Sequence, residues 1–243
     1  TDIARRFFDE VVSLARRKQL LSSDHFTIDG TLIEAWASFK SFKRKDGEPP
    51  KGGGDGTGMV DFKGEKRSNA THQSSTDPDA RLMKKSKGQA AQLSYGGHVL
   101  MENRNGLCVD ILVTESTQAE HRAARSMLTR ARRRRIHPKT LGADKGYHVK
   151  EFVAHLRAHQ IHPHIARIDG RKTPGLDGRT TCTESYRSSQ RKRKRVEEIF
   201  GWLKTIGGMR KTRFIGQAKT QMAAFIAGAA YNLLRIAKLG NSG

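Results

Sequence analysis

Along the first eighteen residues the apolar side chains recur at helical spacing. Ile3, Phe7, Val11 and Leu14 form the repeat, with Phe8, Val12 and Ala15 beside them. This predicts an amphipathic helix over 2–18, with Thr1 as its N-cap and Arg5, Arg6, Arg16, Arg17 and Lys18 on the other side. His25–Asp29 reads as a short buried strand ending in a carboxylate, followed by a turn at Gly30-Thr31 and a short helix over 32–42 with Trp36 inward. Alternation over 92–102 and 106–114, joined at Asn105-Gly106, predicts a β-hairpin. Next come a helix at 118–135, a strand at 139–143 ending at Asp144, a helix at 149–160 and a strand near 161–165. The stretch 167–186 reads as a polar insertion. A basic helix is expected over 188–206 and a last helix over 217–238, with Met222, Phe225, Ile226, Ala229 and Leu233 on one face. Helices interleaved with strands and one hairpin predict an α/β domain built on a mixed sheet.

Residues 43–76 break this order. The segment EPPKGGGDGTG is linker chemistry, and it lacks the GxxxxGK[ST] spacing of a phosphate-binding loop. The expected organisation is therefore a helix over 1–24, a domain formed by 25–42 and 77–240, and an insertion at 43–76.

Charge changes the picture most. The chain carries 46 Lys+Arg against 24 Asp+Glu, a formal net charge of +22. A field of that sign attracts polyanions, and nucleic acid is the expected partner. The basic residues come in one-sign blocks. Arg122–Lys139 holds eight Lys+Arg and no acid, including Arg132, Arg133 and Arg134; Tyr186–Arg213 holds ten against two Glu, including Arg191 and Lys192. A solvated face usually mixes signs, so these blocks point to phosphate contact. Aromatic residues make up 7%, which favours tracking a duplex backbone over stacking on single strands. The longest apolar stretch, Met222–Leu234, is shorter than a bilayer span, and no membrane partner is expected. Cys108 and Cys182 lie far apart without a CxxC partner, so neither a disulfide framework nor a zinc site is expected. His155, His159, His162 and His164 lack an accompanying HExxH glutamate and read as ordinary histidines. Cytoplasm is the simplest compartment. The chain opens at Thr1, directly in a helical pattern, and is expected to be a piece of a longer protein.

Two carboxylates stand at strand ends, Asp29 in TIDGT and Asp144 in GADKGY. Open α/β sheets place ligands at such ends. Taken alone, an Asp-Gly pair at a strand end is more often a plain turn. A third carboxylate comes from RKRKRVEEIFGWLK. At 100° per residue, Arg193, Glu197 and Lys204 share a stripe of roughly 40° beside the apolar stripe of Val196, Ile199, Phe200 and Leu203. Glu198 falls on the solvated side, so Glu197 is the better candidate. Three carboxylates amid excess positive charge suit Mg2+ or Mn2+, hard ions that prefer oxygen.

Together FTIDGTLIEAWASFKSF, GADKGY and VEEIFGWLK resemble the DDE transposases of bacterial insertion sequences, of the insertion-sequence-5 type. Arg193, Glu197 and Lys204 match that family's R-x3-E-x6-K signature, with Gln190 where it usually has tyrosine. DFKGEKRSN, STDPDARLMKK and GHVLMENRNGL are also similar to it. The resemblance implies a ribonuclease-H-like fold, with Asp29, Asp144 and Glu197 as catalytic metal ligands. It implies that Arg193 and Lys204 meet DNA phosphate, and the charge blocks add Lys145, Arg132, Arg133, Arg134, Arg191 and Lys192. The implied reaction is metal-dependent DNA cleavage and strand transfer by a homodimer on double-stranded DNA, at element ends and target, in a bacterial nucleoid. The family carries a further N-terminal helical region, of which 1–24 would be the remnant. The rival expectations are a truncated, non-catalytic duplex-DNA binder and an RNA-binding structural protein.

Overall fold

The computed structural model describes residues 2–46, 61–62, 65–86 and 88–240. The segment EPPKGGGDGTG lies outside them. The chain opens with helix α1 (Asp2–Arg17) and continues through β1 (His25–Glu34), β2 (Phe42–Arg44), β3 (Asp61–Phe62), β4 (Glu65–Lys66), β5 (His72–Ser74) and β6 (Arg81–Met83). It then forms β7 (Gln92–Glu102), β8 (Leu107–Glu115), α2 (Glu120–Arg133), β9 (Thr140–Ala143), α3 (Lys150–Ala158) and β10 (His162–Ile165). Four helices close it: α4 (Gly178–Thr181), α5 (Glu184–Lys192), α6 (Val196–Thr205) and α7 (Gln217–Gly240).

The main sheet runs β10-β9-β1-β7-β8, and β6 extends the β8 side of β7. The first three long strands, β1, β7 and β8, are antiparallel, whereas β9 and β10 lie parallel to β1. Counted in chain order, the five strands stand 3-2-1-4-5, with the second reversed. This is the ribonuclease-H-like arrangement, a mixed sheet with helices on both faces.

The first strand corrects two expectations. Asp29-Gly30 is no turn: β1 continues to Glu34, because β7 offers an unbroken partner from Gly30↔His98 to Glu34↔Ser94. No helix fills 32–42, where a single 3-10 turn at Phe39–Ser41 forms instead, and Trp36 is 53% exposed. The basic helix expected over 188–206 is two helices, α5 and α6, separated by a 3-10 turn at Arg193–Arg195. Part of the polar stretch 167–186 is itself helical, as α4 and the start of α5.

Helix α1 buries Ala4, Phe8, Val11, Val12 and Ala15 and leaves Ile3 and Phe7 exposed, so its core stripe is rotated from the expected one. Phe8 meets Phe225 of α7 at a ring separation of 5.7 Å. Helix α7, of 24 residues, is long and apolar enough by composition to cross a membrane. Here it packs on α1 and along β8, the edge strand. An edge strand presents unpaired backbone groups, and α7 meets them with amides. Asn232 accepts from Cys108 N at 2.8 Å and donates to Cys108 O at 2.7 Å. Gln221 accepts from Val113 N and donates to Ile111 O, and Gln217 donates to Val113 O. From Gln221 to Asn232 is about 16 Å of helix, and from Cys108 to Val113 about 17 Å of strand, so the two spacings agree.

Asn232 is 1% exposed, and replacing it by Leu strands both backbone groups of Cys108. Asn232→Leu is expected to destabilise the fold by about 2–4 kcal/mol, a fall of roughly 5–10 °C in Tm by circular dichroism. An unchanged Tm would show that the amide pairing contributes nothing.

Candidate active site

The parallel pairing of β1 with β9 brings the two aspartates together. Thr27 stands opposite Gly142, so two residues further on Asp29 is level with Asp144 on the neighbouring strand. Such strands lie about 4.8 Å apart. Strand β9 ends at Ala143 while β1 runs on, which opens the sheet just where the two carboxylates stand. Each carboxylate is fixed by a backbone amide close by. Asp29 Oδ1 accepts from Gly30 N at 2.8 Å, and Asp144 Oδ1 accepts from Gly146 N at 2.8 Å as the cap of a 3-10 turn over Lys145–Tyr147.

Helix α6 brings Glu197 and Lys204 to the same side. Val196, Ile199 and Leu203 are buried beneath them. Lys204 Nζ donates to Thr31 Oγ1 at 2.5 Å, two residues along β1 from Asp29. Arg193 opens the 3-10 turn between α5 and α6, and its charge and that of Glu197 both act on Asp29. Glu197 itself is exposed. Glu198, also exposed, lies 4.0 Å from Arg195 and 3.9 Å from Arg235.

A fourth carboxylate, absent from the sequence expectations, lies here as well. Glu120 opens α2, and its oxygens face β1 and the turn after β9. A Cβ added to Gly30 would lie 2.8 Å from Glu120 Oε1; one added to Gly146 would lie 3.1 Å from Asp144 Oδ1 and 3.2 Å from Glu120 Oε2. The two glycines are therefore the space into which these carboxylates fit. In sequence, an acid in the first turn of a helix reads as a partner of the helix dipole, and no motif marks Glu120 further.

The electrostatics follow from this crowding. Burial, then the repulsion of Asp144 and Glu197, push Asp29 up to about 6 despite the Gly30 hydrogen bond and Arg193. Burial, then Asp144 and Asp29, push Glu120 up to about 6. Tyr147, fully buried, is raised by burial and by the same carboxylates. Lys204 is lowered by burial and by nearby Lys85 and Arg210. None of the described ion pairs involves Asp29, Glu120, Asp144 or Glu197. Among the described residues no three His, Cys, Asp or Glu side chains close around one point as a ready ligand cage.

The basic residues divide. Lys145, beside Asp144, and Lys192 are exposed; Arg191 is exposed and shares Glu184 with Arg187. Arg132 and Arg133 are exposed at the far end of the 14-residue helix α2, about 20 Å of helix from Glu120. Arg134 departs from its expected role on DNA. It is turned inward, 2.6 Å from Asp9 of α1 and 3.7 Å from the buried Asp110 of β8. Lys84 and Lys85, unmarked in the sequence reading, line a cleft of about 470 Å³ with Gly30, His98 and Glu120.

No curated protein matches the chain. Among solved structures it is similar to a Mos1 transposase paired-end complex with left transposon end, at 9% identity and TM-score 0.30, covering 80% of this chain and 59% of that one. A pre-cleavage Mos1 transpososome gives 10% identity and TM-score 0.30 over 98% of this chain and 61% of that chain. A Mos1 strand transfer complex gives 10% and 0.29 over 95% and 57%. The chain thus spans about three-fifths of the length of each. The family model described as the transposase DDE domain matches residues 23–233. A match over most of the 243 residues places this chain in the DDE transposase family.

Proposed function

We propose that this chain catalyses divalent-metal-dependent cleavage and strand transfer of double-stranded DNA, with Asp29, Asp144 and Glu197 as the metal ligands. The observation that carries this reading is a lack of neutralisation. In a chain of net charge +22, carboxylates crowd one opening of the sheet and none has a basic partner among the described ion pairs. A cation is the natural counter-charge, and an all-oxygen donor set fits Mg2+ or Mn2+. Mg2+ is usually held by one or two carboxylates together with substrate phosphate, which fits an open cleft better than a closed cage. When bound, such ions supply charge stabilisation at the attacking and leaving oxygens of a phosphodiester.

The chain's own groups do the rest. Asp29 and Asp144, fixed by the Gly30 and Gly146 amides, hold the ligand geometry from adjacent strands. Lys204, anchored on Thr31, and Arg193 stand where a scissile phosphate would be held, with Lys85 and Arg210 beside Lys204. Lys145, Arg191 and Lys192 extend the contact to flanking phosphates, and Arg132 and Arg133 serve a more distant part of the duplex. The R-x3-E-x6-K spacing supports an insertion-sequence-5 type element, and two DNA ends call for a homodimer.

Asp144→Asn or Glu197→Gln is expected to reduce Mg2+-dependent nicking of element-end duplex by about three orders of magnitude or more, while duplex binding in a mobility-shift assay is retained. Nicking that persists in both purified variants would overturn the reading. Arg132→Ala with Arg133→Ala is expected to weaken duplex binding regardless of sequence and to reduce the slope of log K against log salt by about 2; an unchanged slope would remove these residues from the interface.

Asp29 titrates near 6 in the fold against an ordinary 3.8. The folded state therefore holds that proton more tightly than the unfolded chain, and stability present at acidic pH is lost as pH rises through about 6. Without metal, Asp29→Asn is expected to raise Tm at pH 7.5 by about 2–4 °C for each kcal/mol relieved, with little difference near pH 4. Added Mn2+ should raise the Tm of the native protein and not of the variant. Equal melting of both proteins at every pH would show that Asp29 carries no such strain.

A further inference from the structure

Glu120 has no part in the triad, yet its carboxylate is aimed at it. It makes no described hydrogen bond or ion pair, and the first turn of α2 takes no cap from a side chain. Its oxygens instead crowd the two points that Cβ atoms on Gly30 and Gly146 would occupy, the second of which Asp144 Oδ1 also approaches, at 3.1 Å. Two buried polar atoms at the same place are also without partners. His98 is 3% exposed and stands opposite Gly30 on β7; its Nδ1 lies 3.3 Å from the Gly30 point and makes no hydrogen bond. Tyr147 is fully buried, its hydroxyl makes none either, and its charge environment is set by Glu120, Asp29 and Asp144. Burying such groups unsatisfied is unfavourable. A hydrated cation at the mouth of this cleft would meet all of these needs, because hard ions take carboxylate oxygens and keep waters that hydrogen-bond to their surroundings.

We propose that Glu120 is a fourth carboxylate ligand of the divalent-cation site, sharing a cation with Asp144, with His98 as its positioning neighbour. This rests on the metal-dependent reading above and extends it from a triad to a tetrad drawn from both faces of the sheet. Asp29, Asp144 and Glu197 come from strand ends and the α6 side, and Glu120 reaches in from α2.

The test is Mn2+ binding to the full chain, read by the loss of the free-ion electron paramagnetic resonance signal, with and without duplex DNA. Glu120→Gln is expected to weaken binding by about 10–100-fold, as losses around metal ligands do, while Glu198→Gln, whose carboxylate faces Arg195 and Arg235, binds as the native protein does. A folded Glu120→Gln protein with native Mn2+ affinity and stoichiometry, beside an Asp144→Asn protein that has lost both, would overturn this inference and leave the triad standing. If the native protein binds no Mn2+, the triad reading and this one fail together. Should Glu120→Gln misfold, iron-mediated hydroxyl-radical cleavage of the native chain decides. Cuts near residues 30, 120 and 146 support the tetrad, and cuts at 30 and 146 without 120 overturn it.

Discussion

The arrangement depends on one piece of pairing, the parallel register of β1 with β9. It sets Asp29 and Asp144 side by side, and it stops one strand while the other continues. Two like charges on adjacent strands are unfavourable without a counter-ion, and burial makes Asp29 harder to ionise. Elsewhere the chain relieves its buried acid with arginine: Asp110 is held by Arg130 at 2.8 Å and approached by Arg134 at 3.7 Å. At the strand ends no ion pair of this kind forms among the described residues, although the chain carries 46 Lys+Arg. The contrast between these two treatments of a carboxylate within one sheet sets the structural Asp110 apart from the carboxylates proposed to act on DNA.

The scaffold around the opening is tied together on both flanks. Helix α7 covers the exposed edge of β8 with three amide side chains, so that the β1-β7-β8 half of the sheet has a satisfied border. Helix α5 lies against β9, where Ser189 is completely buried, and Gly142 leaves room for its hydroxyl at a Cβ distance of 3.3 Å. Asp29 therefore sits on a strand held from both sides.

Much of this was legible in the sequence, and the misses share a cause. The hairpin was marked by Asn105-Gly106, and Gly106 does take the left-handed φ of +69°. Asp144 stood out because a short apolar strand stops there. Asp29-Gly30 was misread because Asp-Gly is turn chemistry locally, whereas here Gly30 is extended and is required for the space that Glu120 takes. The break at Arg193–Arg195 was hidden because an unbroken basic run has no helix-stopping residue. Arg134 looked like its three neighbours, but only the fold brings Asp9 and Asp110 to it. Glu120 carried no signal because its carboxylate neighbours come from β1 and the turn after β9, which lie 90 residues before it and more than 20 after it in the chain. Periodicity and turn residues report local structure, and pairings of this kind lie beyond them.

Helix α2 also links the two kinds of charge on the molecule. Its first residue is Glu120 and its last are Arg132 and Arg133. The dipole of a helix favours acid at its N-terminus and base at its C-terminus, so the same backbone partial charges ease the crowding of carboxylates at one end and the crowding of arginines at the other. The Ala123, Ala124, Met127, Leu128 and Ala131 stripe fixes the helix on the sheet. The distance between the acidic opening and the arginine end is then a fixed length of about 20 Å, comparable to six base pairs of duplex at about 3.4 Å each. A basic chain with scattered lysines would bind DNA without regard to register. On the proposed reading, a helix with carboxylates at one end and arginines at the other sets how far from the held phosphates the carboxylate opening lies.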